Sequence, residues 1–203
     1  MNHKRARKIR ASSTARLKAL IGAGLLIGSL LSSALHADQH HPKLNALFSD
    51  LKNTEDQGSA DEITSEIWML WREVDNAEAA EALARGVQAM SSRQYRTAYQ
   101  YFSEVIDKVP DFAEGWNKRA TLLYIVESYD DSIRDIKETL RLEPRHFGAL
   151  SGLGLIFLRQ HQFGPAKTAF QSALEINPHL PQIRQALEEL EARQRTQDEK
   201  NAI

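Results

Sequence analysis

Apolar residues in the second half of the chain recur at intervals of three and four, the spacing of helices that bury one face. Tyr95, Ala98, Phe102, Val105 and Ile106 form one such stripe. The stripe is itself repeated. Pro110, Pro144 and Pro178 are spaced by 34 residues, and the same step links Tyr95, Tyr129 and Phe163. It also links Ala98, Ser132 and Ala166, then Phe102, Ile136 and Phe170, and the small residues Gly86, Ala120 and Gly154. Val105, Thr139 and Ala173 follow it, as do Ala82, Trp116 and Leu150, the least alike of the sets. A fixed period of this length marks a solenoid of stacked hairpins, each unable to bury its apolar face alone.

Each class of position has a physical reason. Antiparallel helices approach closely only where side chains are small, which predicts Gly86, Ala120 and Gly154 facing Ala98, Ser132 and Ala166. Aromatic and branched residues fill the space between hairpins. Each Pro stands just after a second helix, where it ends that helix and presets the turn.

A 34-residue helix–turn–helix with small, aromatic and proline residues in this order resembles the tetratricopeptide repeat. The best copy is AEGWNKRATLLYIVESYDDSIRDIKETLRLEP (113–144), followed by FGALSGLGLIFLRQHQFGPAKTAFQSALEINP (147–178). The expected fold is therefore all-α, a helical-hairpin superhelix of three repeats (79–112, 113–146 and 147–180), with Ala82 in the first where a bulky residue is usual. PDFAEGWNKRATLLY and LEPRHFGALSGLGLIF also resemble segments of small exported proteobacterial repeat proteins whose role is not established.

Flanking segments are expected to finish the stack. Pro181 can open a capping helix over 181–197, with Ile183, Ala186, Leu187 and Leu190 on one face, ahead of a frayed tail at 198–203. On the N-terminal side, Leu44, Leu47, Phe48 and Leu51 suggest a short helix, and QGSADE (57–62) is expected to break it. A second helix over 61–75 carries five consecutive apolar residues, Ile67 to Trp71, more than one narrow stripe. Segment 38–78 thus reads as a degenerate hairpin packed on the first repeat. Two other uses of helix 61–75 stay open: folding back into the groove, or a sticky surface for self-association.

Charge divides the chain. Residues 1–37 hold seven Lys/Arg and no Asp or Glu, leaving 38–203 at a net −8 with His neutral. An acidic body lacks the basic surface that replaces phosphate counterions, so no nucleic-acid partner is expected. Ala19 to Leu35 run without a charge behind a basic start, and Leu35-His36-Ala37 ends in a small residue. This describes a signal peptide over 1–37, cut after Ala37 and directing the acidic body to the periplasm. An uncleaved anchor facing outside the cytoplasm and a mitochondrial transit peptide are the alternatives.

No cysteine is present, which removes disulfides and thiolate chemistry together. Gly152-Leu-Gly154 lacks the third glycine of a phosphate loop, no HExxH occurs, and Ser, His and Asp fall in no recognisable catalytic arrangement. His36, His40 and His41 with Asp38 read as a solvated linker rather than a metal site, and His146 as a loop histidine near a helix start. No enzyme activity, metal or cofactor is expected.

The resemblance implies a concave face lined by the first helix of each repeat, which takes a protein or peptide partner. By family geometry that face holds Leu83, Val87 and Met90, then Glu114, Asn117, Thr121 and Tyr124, then Ser151, Leu155, Leu158 and Arg159. Arg119 is expected to pair structurally with Asp135, whereas Arg85 has Tyr101 in the equivalent place and looks to the N-terminal segment. Relatives that grip acidic chaperone C-termini use a basic–asparagine clamp; Leu83 and Val87 occupy its first positions here, so that ligand class is not expected. The expected function is an exported adaptor or scaffold that holds a peptide or helix of a cell-envelope protein. Self-association through helix 61–75 and a membrane-tethered or organellar adaptor are the alternatives, the membrane entering only if the leader stays uncleaved.

Overall fold

The computed structural model describes residues 41–201; the leader at 1–37, with its cleavage site, and the linker residues 38–40 lie outside them. The described chain is all-α: α1 (Lys43–Asn53), α2 (Gln57–Arg72), α3 (Ala77–Ser91), α4 (Tyr95–Lys108), α5 (Ala113–Ile125), α6 (Tyr129–Leu142), α7 (Phe147–Arg159), α8 (Phe163–Ile176) and α9 (Pro181–Asn201). Helices α3/α4, α5/α6 and α7/α8 form the three repeat hairpins, stacked in chain order, and α9 lies on α8.

Close approach within each hairpin comes from matched sizes. A methyl group at Gly86 would fall 2.5 Å from the Phe102 ring, and one at Gly154 would fall 2.3 Å from the Phe170 ring. In the middle repeat Ala120 and Ile136 share one buried cluster at the equivalent places, a larger small residue beside a smaller large one. The small positions thus face the aromatic or branched set, while Ser132 serves the hairpin by donating its hydroxyl to the Ala120 carbonyl at 2.7 Å.

The three turns within the repeat hairpins are built alike. Arg93, Glu127 and His161 adopt positive φ near 60°. In each turn the next amide reaches back to the helix: Gln94 N–H to Ala89, Ser128 N–H to Leu123 and Gln162 N–H to Phe157, all within 2.9 Å. This is a Schellman stop, usually made with glycine. Here three side-chain-bearing residues sit in the left-handed region, which costs each roughly 1–2 kcal/mol.

The N-terminal hairpin departs from the expected stacking. QGSADE is not a break: Asp56 accepts from the Ser59 amide at 2.7 Å and caps the first turn of α2. The hairpin does not use its apolar face to continue the solenoid before α3. Leu44, Leu51, Ile67 and Trp71 are buried with Phe147 at the start of α7, and Ile176 and Leu180 pack against the same cluster. Thr64 accepts from Asn177 Nδ2 at 3.2 Å, and Arg145 donates to Asn45 Oδ1 at 2.8 Å. The segment folds back across repeats two and three.

The reason lies in the outer side of repeat one, which is polar. Lys108 Nζ stands 2.5 Å from Glu78 Oε2, and Arg85 pairs with Glu81 in the same helix. Arg85 therefore finds Glu81 and Tyr101 rather than the N-terminal segment. Ala82 is buried in the core of repeat one, whereas Trp116 donates to the Pro110 carbonyl of the preceding repeat at 2.9 Å and Leu150 packs on the α8–α9 cluster. Repeat one is a charged end cap. Trp71 is 1% exposed within its own chain, while Met69 of the same helix stands 58% exposed.

At the other end α9 begins at Pro181 as expected but continues to Asn201, beyond 197, through Glu199 and Lys200, both good helix formers.

Two outcomes follow from these geometries. Gly154→Ala should lower stability by about 1–3 kcal/mol in urea unfolding, through overpacking against Phe170. Adding Phe170→Ile should restore most of the loss by copying the Ala120/Ile136 pair. Glu127→Gly should raise stability by about 1 kcal/mol, because glycine occupies positive φ without strain.

Candidate functional site

The concave side is bounded by α5 and α7, and the hairpin α1–α2 covers its lower end. Trp68 lies over Gly148, where a methyl group would fall 2.6 Å from its ring. Lys118 Nζ stands 5.6 Å from the centre of the Trp68 ring, a cation–π contact. Beneath it, His146 stacks parallel on Trp71 with centroids 4.2 Å apart.

His146 is the hub of this covered end. Its Nδ1 accepts from the Ala149 amide at 3.0 Å and caps α7. In the neutral ring the proton must then reside on Nε2, which faces Glu114 Oε2 at 3.2 Å. The expected loop histidine is thus a fully buried cap. Asn117 Nδ2 donates to the same Glu114 oxygen at 2.7 Å. Lys118 Nζ is 2.8 Å from Oε1, near enough for an ion pair though out of line for a hydrogen bond. Burial pushes the Glu114 carboxyl up, but the His146 hydrogen bond and the Lys118 charge outweigh it and hold the group below its ordinary value near 4.5.

The expected groove residues therefore divide. Glu114 is buried under α2 and engaged with Asn117 and His146, while Asn117, itself largely buried, reaches the edge of the cavity described next. Leu83 is buried in the core of repeat one, since the stripe it shares with Ala79 and Ala82 turns inward. Val87 is exposed and Met90 packs on that core; neither reaches the cavity described next. Leu158 packs partly against the α8–α9 cluster.

Thr121, Tyr124, Ser151 and Leu155 do come together. With Ala120, Ile136, Gly152 and Ile156 they line an open cavity of about 340 Å³ between α5 and α7. Asn117 and Gly148 also line it, so the cavity begins where the hairpin roof ends. Its hydroxyls are already engaged: Thr121 Oγ1 donates to Asn117 O at 2.9 Å, and Ser151 Oγ to Phe147 O at 2.7 Å. The lining carries no charged residue. At the far end Arg159 is exposed, and the neighbouring Tyr124 hydroxyl holds its guanidinium pKa above the usual value.

Gly148 and Gly152, absent from the expected site, shape it most. Helix-interior glycine is costly relative to alanine. Gly148 is explained by Trp68. At Gly152 the nearest atom to an added methyl is Ile136 Cδ1 at 3.8 Å, an ordinary contact, so the fold does not require glycine there. The signal in sequence is the spacing of four, which places both on one face of α7.

Outside the groove Arg119 forms a two-pronged pair with Asp135, Nε–Oδ2 at 2.7 Å and Nη2–Oδ1 at 2.9 Å. Its Nη1 also donates to Ser103 Oγ in the preceding repeat at 3.1 Å, tying the two hairpins. Among the described residues no group of three or more His, Asp or Glu is placed to hold a metal, and no helix is long and apolar enough to cross a membrane.

Stacked helical hairpins beside a partly roofed apolar groove define a helical-repeat solenoid. The chain is 35% identical over 136 residues to a TPR repeat-containing protein of Rhizobium etli, covering 67% of each chain. It belongs to the tetratricopeptide-repeat family. No family model matches the chain. Among solved structures, the Sgt2 TPR domain from Aspergillus fumigatus superposes with a TM-score of 0.56 at 19% identity, over 63% of this chain and 84% of that one. The first TPR of Spaghetti (RPAP3), bound to an HSP90 peptide, also gives 0.56, at 17% identity over 58% of this chain and 94% of that one. These two likenesses are of fold.

The covered end makes acid stability a test of its ion network. A carboxyl whose folded pKa is lowered stabilises above its unfolded pKa, and that contribution is lost as pH falls through the folded value. Glu114→Gln should be about 2–3 kcal/mol less stable at pH 7, since it leaves Lys118 and His146 short of a buried anionic partner. Below pH 4.5 the two proteins should converge, read by urea unfolding with tryptophan fluorescence.

Proposed function

We propose that this chain is a protein-binding adaptor that holds a peptide or helix in the open half of its concave groove. The carrying observation is the cavity between α5 and α7, with Tyr124, Gly152 and Leu155 accessible and no segment of the described chain filling it. An uncharged, largely apolar cleft of this size suits a partner's side chains, whose burial supplies the affinity. The first TPR of Spaghetti is named as holding a peptide, which supports the same use of the shared fold. Acidic chaperone C-termini are not the proposed ligand, because Leu83 is buried and Val87 is apolar where a basic–asparagine clamp would begin.

The compartment belongs to the same proposal. A basic start, an uncharged run from Ala19 to Leu35 and the small Ala37 support export, with an envelope protein as the partner.

Crosslinked capture from native cells tests both parts. The wild-type chain should recover a defined envelope protein that Tyr124→Ala/Arg159→Glu does not, while circular dichroism of the variant stays unchanged. Equal recovery by both would remove the groove from the account. Sequencing of the mature N-terminus should read from Asp38; a retained Met1 would overturn the cleaved leader.

A further inference from the structure

The open groove has an internal template for its ligand. At Gly148 the absence of a side chain lets the Trp68 ring lie directly on the backbone of α7. One helical turn further, Gly152 presents the same bare backbone with nothing on it, walled by Ala120, Ile136, Leu155 and Ile156. The two glycines are four residues apart and therefore on one face, about 6 Å apart along the axis. One is filled from within the chain; the other lies open beside it.

The neighbouring polar groups limit what can enter. Thr121 and Ser151 spend their hydroxyl protons on helix carbonyls, so the cavity floor offers a ligand little beyond apolar contact. Charge enters only at the rim. Arg159 is exposed beside Tyr124, with no carboxylate in ion-pair range among the described residues; Glu127 acts on it from farther away. Lys118, at the roofed end, is already committed to Glu114 and to the Trp68 face.

We infer that the groove ligand, on the adaptor reading above, is a peptide segment with a large aromatic side chain seated on Gly152 and a carboxylate that pairs with Arg159. The aromatic ring continues the row that Trp68 begins. A flat ring matches a helix surface without Cβ, where close stacking recovers contact that a branched side chain cannot make. The carboxylate meets Arg159 at the exit, so the segment runs from the hairpin roof towards the α7–α8 turn. A single charge at the rim acts on orientation and selectivity more than on total affinity.

Selection from a random twelve-residue phage-displayed library on the purified full chain tests this. The expected consensus holds Trp, Phe or Tyr with Asp or Glu at a fixed distance. A fluorescent copy of the selected peptide should lose at least ten-fold in affinity against Arg159→Glu, and changing its carboxylate residue to Lys should restore binding to that variant. Arg159 is exposed, so folding is not at stake. Gly152→Trp should abolish binding while Gly152→Ala weakens it by a smaller factor; both have room for the added Cβ. Peptides that need the groove but lack the aromatic or the acid would overturn this inference and leave the adaptor reading standing. Binding indifferent to Gly152→Trp, or no selection at all, would overturn both.

Discussion

Two helices can lie side by side only as closely as their bulkiest facing residues allow, and this constraint organises the whole molecule. In the outer repeats the limit is set by a phenylalanine ring against a glycine, Phe102 on Gly86 and Phe170 on Gly154. In the middle repeat Ile136 meets Ala120. The sum of sizes is held while the partition changes, so all three hairpins keep a common geometry and can stack. The same logic reappears in the groove. Trp68 can roof α7 because Gly148 clears the way, and the cavity beyond it exists because Gly152 does too.

The roof is a tertiary commitment with local consequences. By folding back over α5 and α7, the N-terminal hairpin removes Glu114, Asn117 and His146 from solvent and obliges them to satisfy one another. The result is a buried acid held ionised by a lysine and a cap histidine, whose ring stacks on Trp71 and meets Trp68 edge-on. Such a network is stabilising only when complete. It also divides the concave face into a closed structural half and an open half, and only the second remains for a partner.

The ends of the solenoid show how a repeat protein stops. Repeat one carries ion pairs on its surface, and α9 lies on α8 at the other end, tied there by Lys167 to Glu191 at 2.9 Å. Among the described residues, charged pairs thus stand at both ends of the stack. Arg119 shows the reverse: between repeats, its planar fork binds Asp135 and still reaches Ser103, which only an interior repeat can offer.

The period of 34, the helix pairing and the proline stops were legible in sequence because they are local: they depend on spacing along one chain and on backbone preferences. The Arg119–Asp135 pair was legible for the same reason, since both residues belong to one hairpin. The site was read only in part. Thr121, Tyr124, Ser151 and Leu155 line the cavity with Asn117 at its roofed edge, but Glu114 and Leu83 do not stand open, and Gly152 was read only as part of an incomplete phosphate loop. Five apolar residues at 67–71 announce a buried helix without saying against what. That choice was made by surfaces far apart in sequence: the charged face of repeat one offered α2 nothing to bury, whereas Phe147, Gly148 and His146 offered a complementary bed. Sequence determined the repeat; long-range packing decided which part of its groove is left open.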